Sequence, residues 1–209
     1  IPVHLFDYDR HLASLDKPSL VTGRYAVFID QNLPDHPDLK VAGYDAMDRE
    51  RYYASVRSFL ARLESLMGVD VLIAAHPSNN LAESVYRRST YRGVTDILVR
   101  DCEFVILHFS TAVSYIVINK KPVLFVVNDE LRRVYNTSIC LSIEAIASYL
   151  GVNIFNIDQK EGGIAHPSKS EAEYERYFRE YISSGVGVED SSSSIFVKTI
   201  HDLSKGNRS

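Results

Sequence analysis

Residues 104–127 read FVILHFSTAVSYIVINKKPVLFVV and contain two short apolar runs separated by a helix-like segment. The runs at 104–109 and 122–127 are continuous, which is typical of strands buried on both faces of a sheet. The segment 110–119 between them begins with Ser110, and we expect Ser110 to cap a helix there. Because parallel strands need a crossover between them, this stretch predicts a strand–helix–strand unit.

The same alternation continues along the rest of the chain. Further strands are predicted at residues 25–30, 69–75, 90–91 and 152–157. Helices are predicted at residues 45–67, 81–87, 94–102, 142–150, 171–182 and 194–203. Thr95 is expected to cap the first turn of its helix. Because strands that alternate with helices form parallel sheets with right-handed crossovers, the sequence predicts an α/β protein of one domain. Its sheet is expected to be doubly wound and Rossmann-like, with about six parallel strands.

The predicted sheet also defines the domain organisation. With 209 residues and a mass of 23.6 kDa, the chain has room for one domain of ordinary size. We expect this domain at residues 25–184, after a lead-in segment or interdomain linker at 1–24 that has no clear periodicity. Residues 185–209 are expected to hold a connector rich in glycine and serine, a helix and a tail. The sequence begins with Ile1 rather than Met, so we expect a domain of a longer protein.

The composition limits the classes of function. Hydrophobic residues make up 45% of the chain and charged residues 24%, which predicts a folded globular protein. The net charge of −4 and the pI near 6.0 provide no basic field, so no nucleic-acid partner is expected. No apolar run reaches the ~18 residues that a membrane span needs. The cysteines Cys102 and Cys140 are expected to be reduced core thiols, and a cytoplasmic location is the default expectation.

Candidate functional residues follow the predicted strands, because doubly wound sheets bind ligands beyond the carboxyl ends of their strands. His76 and Pro77 follow the second strand, where a histidine can donate to a phosphate or protonate a leaving oxygen. Ser110 and Thr111 follow the fourth strand, where two hydroxyls at a helix N-terminus can cradle a phosphate. The alternative for Ser110 is simple helix capping, and both interpretations stay open at this point.

Several common signatures are missing from the sequence. It contains no Gly-x-Gly-x-x-Gly, Walker or Gly-x-Ser-x-Gly motif, so dinucleotide oxidoreductases, P-loop enzymes and α/β-hydrolases are not indicated. No cluster of histidine and cysteine has zinc spacing, and no metal site is expected. His36-Pro37 and His166-Pro167 lie in predicted loops and are expected to be structural. His108 lies within a predicted strand and is expected to be a core histidine with satisfied hydrogen bonds.

Four stretches, in this order along the chain, resemble a known family. They are VLIAAHP at 71–77, YRGVT at 91–95, VILHFSTA at 105–112 and KPVLF at 121–125. Together they are similar to the C-terminal half of GT-B glycosyltransferases, above all to bacterial capsule and surface-polysaccharide enzymes of the sialyltransferase-like and Kdo-transferase-like types. Those enzymes have a His-Pro motif and a Ser-Ser/Thr motif in the domain that binds the nucleotide sugar. The resemblance covers residues 25–158.

This resemblance implies roles for individual residues. His76 matches the histidine of the His-Pro motif, and it would contact the donor phosphate or act as the acid for the departing nucleotide. Pro77, Ser110 and Thr111 would bind the phosphate of the nucleotide sugar. The residues expected at the base and ribose pocket are Gly93, Thr95 and Asn128.

The implied reaction uses neither a metal nor a cofactor. The substrate would be a nucleotide-sugar donor linked to CMP or UDP, and hydroxyls and helix ends would stabilise the charge of the leaving phosphate. The family binds its glycan acceptor and carries its general base in a separate N-terminal domain, for which this chain has no room. The full enzyme would be cytoplasmic, with peripheral contact at the inner face of the membrane, and a homo-oligomer stays open.

The function expected from the sequence is the donor-binding domain of a glycosyltransferase that transfers a sugar to a surface polysaccharide. Two alternatives stay open. One is half of a nucleotide-sugar epimerase or of a polyol-phosphate transferase, which would use the same type of domain. The other is a non-catalytic Rossmann-like module with a regulatory or assembly role, which would have no affinity for nucleotides.

Overall fold

Six parallel strands form one sheet in the computed structural model, which describes residues 3–36, 41–135, 139–159, 163–183, 185 and 189–206. The strands are β1 (Tyr25–Ile29), β2 (Asp70–Ala74), β3 (Thr90–Tyr91), β4 (Val105–Leu107), β5 (Val123–Val127) and β6 (Ile154–Asn156). Their order across the sheet is β3-β2-β1-β4-β5-β6. This is the doubly wound Rossmann order, so the predicted fold class is confirmed.

Helices connect the strands and cover the sheet. They are α1 (Phe6–Leu12), α2 (Arg49–Met67), α3 (Ala82–Tyr86), α4 (Thr95–Asp101), α5 (Val113–Ile118), α6 (Asp129–Tyr135), α7 (Ile139–Tyr149), α8 (Glu171–Tyr177) and α9 (Ser192–Gly206). A 3-10 turn at Leu33–Asp35 follows β1, and α8 continues into a π-helical turn at Phe178–Ile182. Right-handed crossovers place α2 and α3 on one face and α4 and α5 on the other, and the members of each pair contact each other.

The sheet lies at the centre of the hydrophobic core. Every residue of β1 and β5 is buried, because helices cover both faces of the sheet. The longest helix, α2, buries one face at helical spacing, with Tyr52, Val56, Phe59, Leu60 and Leu63. Gly68 ends this helix with a φ of 63°, directly after the predicted last residue, 67. The helix begins later than predicted because Asp48 caps it by accepting a hydrogen bond from Arg51 N at 3.0 Å.

Both capping predictions for the candidate site are wrong. Helix α5 begins at Val113, and its first cap is Ala112 rather than Ser110. Ser110 instead accepts a hydrogen bond from Ala112 N through Oγ at 3.2 Å, which closes a turn before the helix. Thr95 is already the first residue of α4, and the preceding Val94 makes no side-chain capping bond.

The sequence pattern predicts neither α1 nor α6. Helix α1 is too short to show a period, yet it packs against α4 and α5 and buries Tyr8. The lead-in segment therefore contacts the helices that cover the sheet. Helix α6 follows β5 directly, and Asn128 caps it by accepting a hydrogen bond from Leu131 N at 2.8 Å.

Other expectations concern residues away from the sheet. Cys102 and Cys140 are free and buried, as predicted. The expected domain end at Ser184 and the last residues of the tail, 207–209, lie outside the described residues. Within the described part of the chain, no helix has the length and apolar character that crossing a membrane requires.

Candidate functional site

The edge of the sheet where β1 and β4 end is the point at which the chain changes direction. From β1 the chain continues to β2 and β3 on one side, and from β4 it continues to β5 and β6 on the other. Doubly wound folds bind their ligands at this topological switch point. Both β2 and β4 pair with β1, so their carboxyl ends lie about 10 Å apart, at two strand spacings of about 4.8 Å each.

Asp30 organises the loops on one side of this edge. It directly follows β1 and is only 3% exposed. Its Oδ1 accepts hydrogen bonds from Asn32 N and from the Tyr86 hydroxyl, both at 2.8 Å. Its Oδ2 accepts hydrogen bonds from His76 N at 3.1 Å and from Asn79 Nδ2 at 2.9 Å. These four donors compensate the desolvation of the carboxylate and fix the loops after β1 and β2 to each other.

A second group of hydrogen bonds fixes the ring of His76. Ser78 N donates to Nδ1 at 3.2 Å, and Ser78 Oγ lies 2.8 Å from the same nitrogen. Ser78 Oγ accepts a hydrogen bond from Asn32 Nδ2 at 3.0 Å, which leaves the hydroxyl hydrogen to be donated to His76. Nδ1 is therefore an acceptor, and the neutral ring carries its hydrogen on Nε2. Asn32 adopts a left-handed φ of 50° in this arrangement, which asparagine tolerates.

The loop after β1 brings a second imidazole to His76. The ring centroids of His36 and His76 are 5.0 Å apart, with an angle of 56° between the ring planes. Nδ1 of His36 is buried and has no hydrogen-bond partner among the residues that the structure describes. The sequence does not predict this contact, because it assigns His36-Pro37 to a structural loop. Pro37 itself lies outside the described residues, and Pro77 is exposed in the turn after His76.

The loop after β4 carries the two hydroxyls that were expected to bind phosphate. Ser110 is half-buried, and its Oγ bonds among the described residues only within the turn, to Ala112 N at 3.2 Å. Thr111 is exposed, and its carbonyl accepts hydrogen bonds from Ser114 N at 3.3 Å and from Ser114 Oγ at 3.0 Å. All these partners lie within four residues along the chain. Local turn contacts therefore shape the loop, and the Ser114 hydroxyl also bonds to the Asp7 carboxylate of α1.

Gly93 and Thr95 lie at the start of α4, next to α1. Gly93 has a φ of +70°, and the described residues leave open space where a Cβ would be. The Gly93 carbonyl accepts a hydrogen bond from Arg10 Nη2 at 3.0 Å, and the same nitrogen lies 3.6 Å from the buried Asp96 carboxylate. Thr95 is half-buried. Helix α1 thus places a guanidinium beside these two residues, which the sequence does not predict.

Asn128 is covered by its surroundings. It is fully buried, and its Oδ1 is used to cap α6. Its Nδ2 is buried without a hydrogen-bond partner among the described residues. This corrects the expected contact with base or ribose, because the Asn128 side chain presents no exposed atom to a ligand.

His108 lies beneath the site in the core, as predicted. Its Nδ1 donates to the Val126 carbonyl at 2.7 Å, and its Nε2 accepts from the Tyr52 hydroxyl at 3.0 Å. Complete burial lowers the pKa of His108 to about 4, although the hydrogen bond to Val126 and the charge of Asp30 act in the opposite direction. The ring is therefore neutral at physiological pH, and its role is structural.

The main residues of the candidate site fall into two groups. The histidine cluster, after β1 and β2, consists of Asn32, His36, His76 and Ser78. The hydroxyl loop, after β4, consists of Ser110 and Thr111, and Gly93 and Thr95 lie beside α1. The sequence predicts His76, Ser110 and Thr111 but not Asn32, His36 or Ser78. The polar run at 30–32, directly after the first strand, was the available signal for that part of the site.

The chain is similar to a solved structure at low sequence identity. No family model matches the chain, and no curated protein matches it. A crystal structure of UDP-GlcNAc 2-epimerase from Methanocaldococcus jannaschii, in complex with UDP-GlcNAc and UDP, is similar at 11% sequence identity and a TM-score of 0.45. The similarity covers 85% of this chain and 53% of the epimerase chain, so this chain spans about half the length of that protein.

Proposed function

We propose that this chain binds the nucleotide-sugar donor of a glycosyltransferase that extends a surface polysaccharide. The observation that carries the proposal is the position of the histidine cluster and the hydroxyl loop on either side of β1, at the switch point of the sheet. The strands β2 and β4, which precede the two groups, end about 10 Å apart, a distance that the phosphate groups of a nucleotide sugar can bridge.

The histidine cluster would bind the phosphate from one side. The Nε2–H of His76 would donate a hydrogen bond to a phosphate oxygen. Asp30 fixes the backbone of His76 and Ser78 fixes its ring, so the donor would be in place before the ligand arrives. Preorganised donors of this kind stabilise the charge that develops on a leaving phosphate.

The hydroxyl loop would bind the phosphate from the other side. The exposed Thr111 and the half-buried Ser110 would each donate a hydroxyl hydrogen to phosphate oxygens. Gly93 leaves room for a base or ribose, and Thr95 would contact it at the start of α4. Arg10 would add a positive charge beside this pocket.

The proposed domain organisation follows from this donor site. Residues 25–184 would form the donor-binding domain, flanked by the lead-in segment 1–24 and by the connector, helix and tail at 185–209. A second domain would supply the glycan acceptor site and the general base. The donor would be linked to CMP or UDP, and the complete enzyme would act in the cytoplasm at the inner face of the membrane.

Calorimetric titration of the purified chain with CMP, CDP, UDP and GDP, in the absence of metal, tests the proposal. We expect one nucleotide to bind. His76→Ala and Ser110→Ala should each weaken its binding by about 1–3 kcal/mol, because each variant loses a donor to a charged oxygen. His166→Ala is the matched control, since His166 also precedes a proline but is exposed on another loop.

Other outcomes contradict the proposal in different ways. If no nucleotide binds, the non-catalytic module becomes the better explanation. If a nucleotide binds and neither variant weakens it, the site lies elsewhere. If the chain binds UDP-GlcNAc and inverts its sugar without an acceptor, the epimerase alternative is supported instead.

A further inference from the structure

A pocket of about 270 Å³ lies beside the histidine cluster, at the same edge of the sheet. It is bounded by the 3-10 turn after β1, by residues 44–47 and by the end of α6. Its lining includes His36, Tyr44, Asp45, Met47 and Tyr135. Pockets for drug-sized ligands measure about 300–1,000 Å³, so this smaller pocket has room for a single ring.

Charged groups hold the walls of this pocket together. Asp48 N donates to Glu130 Oε1 at 2.7 Å, and Arg133 Nη2 donates to the Ala46 carbonyl at 3.0 Å. Glu130 is only 2% exposed, and the hydrogen bond from Arg133 lowers the pKa of this carboxyl. The segment 44–48 is thus attached to α6 at two points by charge-assisted hydrogen bonds.

The lining combines an aromatic wall with two polar side chains. Tyr44 and Tyr135 meet edge to face, with ring centroids 4.9 Å apart. Tyr135 is buried and donates its hydroxyl hydrogen to the Leu33 carbonyl at 3.4 Å, which fixes this wall. A sugar ring packs its apolar C–H face on aromatic rings, and its hydroxyls bond to groups such as the Asp45 carboxylate and the His36 imidazole. The lining therefore suits a sugar ring.

His36 connects this pocket to His76. One imidazole, His36, both lines the pocket and lies 5.0 Å from the His76 ring. If a phosphate of the nucleotide sugar binds at His76, the bond between this phosphate and the sugar would lie at His36. The sugar ring would then lie in the pocket. We infer that the pocket binds the sugar ring of the nucleotide-sugar donor and that His36 contacts this ring next to the phosphate. This inference rests on the proposed function, because the bound phosphate determines where the sugar lies.

Titration with a nucleotide and with its sugar conjugate tests the inference, using UDP and UDP-GlcNAc or CMP and CMP-sialic acid. We expect Tyr44→Ala to weaken binding of the conjugate by about tenfold and binding of the nucleotide by less than about twofold. Tyr44→Phe keeps the ring and should retain the affinity for the conjugate. Tyr181→Ala is the matched control, because Tyr181 is an exposed tyrosine in the π-helical turn.

A second variant covers the case in which Tyr44→Ala does not fold. Ala46 is exposed and lines the pocket, so Ala46→Phe fills the space without disturbing the core. This variant should also lower the affinity for the conjugate by about tenfold and leave the nucleotide affinity unchanged. Equal losses for nucleotide and conjugate would make the pocket a base site, and unchanged affinities would leave it without a ligand. Either result overturns the inference.

The inference and the proposed function can fail separately. If the wild-type chain binds neither nucleotide nor conjugate, the proposed function fails. Saturation-transfer NMR with free N-acetylglucosamine and glucose then tests the pocket directly. A signal that Ala46→Phe abolishes supports a sugar site without a nucleotide, whereas no signal from either sugar overturns the inference as well.

Discussion

The histidine cluster and the hydroxyl loop face the same edge of the sheet but are held in place differently. Asp30, with four hydrogen-bond donors from two loops and α3, fixes the histidine cluster to the core. Within the part of the chain that the structure describes, the Ser110 hydroxyl bonds only inside its own turn. One side of the candidate site is therefore preorganised by bonds to the buried Asp30, whereas the described contacts of the Ser110 hydroxyl lie within its own turn.

Among the variants that test this difference, Asp30→Ala is expected to lower the free energy of unfolding the most. Two backbone N–H groups, one amide and one hydroxyl would lose their acceptor, and a buried polar group without a partner costs about 1–3 kcal/mol. We expect the free energy of unfolding in urea to fall by about 4 kcal/mol. Asp30→Asn keeps one carbonyl oxygen and should lose about half as much.

Thr111→Ala is the matched control on the other side of the site. The Thr111 side chain is exposed, so its removal should change the free energy of unfolding by less than about 0.5 kcal/mol. If Asp30→Ala changed the free energy of unfolding as little as this control, the two sides would not differ in how strongly they are fixed to the core.

His108, which lies beneath both sides, should make the stability of the sheet depend on pH. Its pKa is about 4 in the folded chain against the ordinary histidine value of 6.5, so the unfolded chain binds more protons between these values. The stabilisation is complete above pH 6.5 and is lost as the pH falls toward 4, by about 3 kcal/mol in total. Urea denaturation of the wild type between these pH values measures the loss.

His108→Gln should flatten this pH dependence, because glutamine does not titrate. His11, whose pKa is lowered mainly by burial, contributes in the same direction and remains in the variant. His166→Gln is the control and should keep the wild-type slope, since His166 is exposed. An unchanged slope in His108→Gln would show that another group causes the loss.

The fold could be predicted from the sequence because its signals are local. Each buried strand is a short apolar run, and α2 shows helical spacing, a capping aspartate and a terminal glycine within one stretch. The helices that were not predicted lack such signals. Helix α6 is short and charged, and its cap, Asn128, directly follows the strand β5. The capping prediction for Ser110 was wrong because a serine hydroxyl can close a turn as well as cap a helix, and the sequence does not distinguish the two.

The site could be predicted only in part, for a related reason. His76, Ser110 and Thr111 were predicted because they follow the apolar runs at 69–75 and 104–109, which are positions that the sequence specifies. His36 lies several residues beyond β1, and only the pairing of β1 with β2 brings its loop against His76. Contacts between loops from different strands depend on the register of the sheet, which the apolar pattern does not contain.

The smallest expected effects come from two serine variants that compare the sides directly. Ser78→Ala removes the acceptor of Asn32 Nδ2 and one donor to His76 Nδ1, so it should cost about 1 kcal/mol of unfolding free energy. Ser110→Ala removes one hydrogen bond of a half-buried turn and should cost about 0.5 kcal/mol.

The same two variants should affect nucleotide affinity in the opposite order, with the larger loss in Ser110→Ala. Under the proposed function, Ser110→Ala would lose a direct donor to phosphate, whereas Ser78→Ala would leave the His76 ring held by Ser78 N at 3.2 Å. Urea denaturation and calorimetric titration of both variants measure the two orders, with the exposed Ser65→Ala on α2 as the control. The contrary result would be that the same variant loses more unfolding free energy and more nucleotide affinity. Each serine would then act through the same contacts in the free and the bound chain, and preorganisation would not distinguish the two sides.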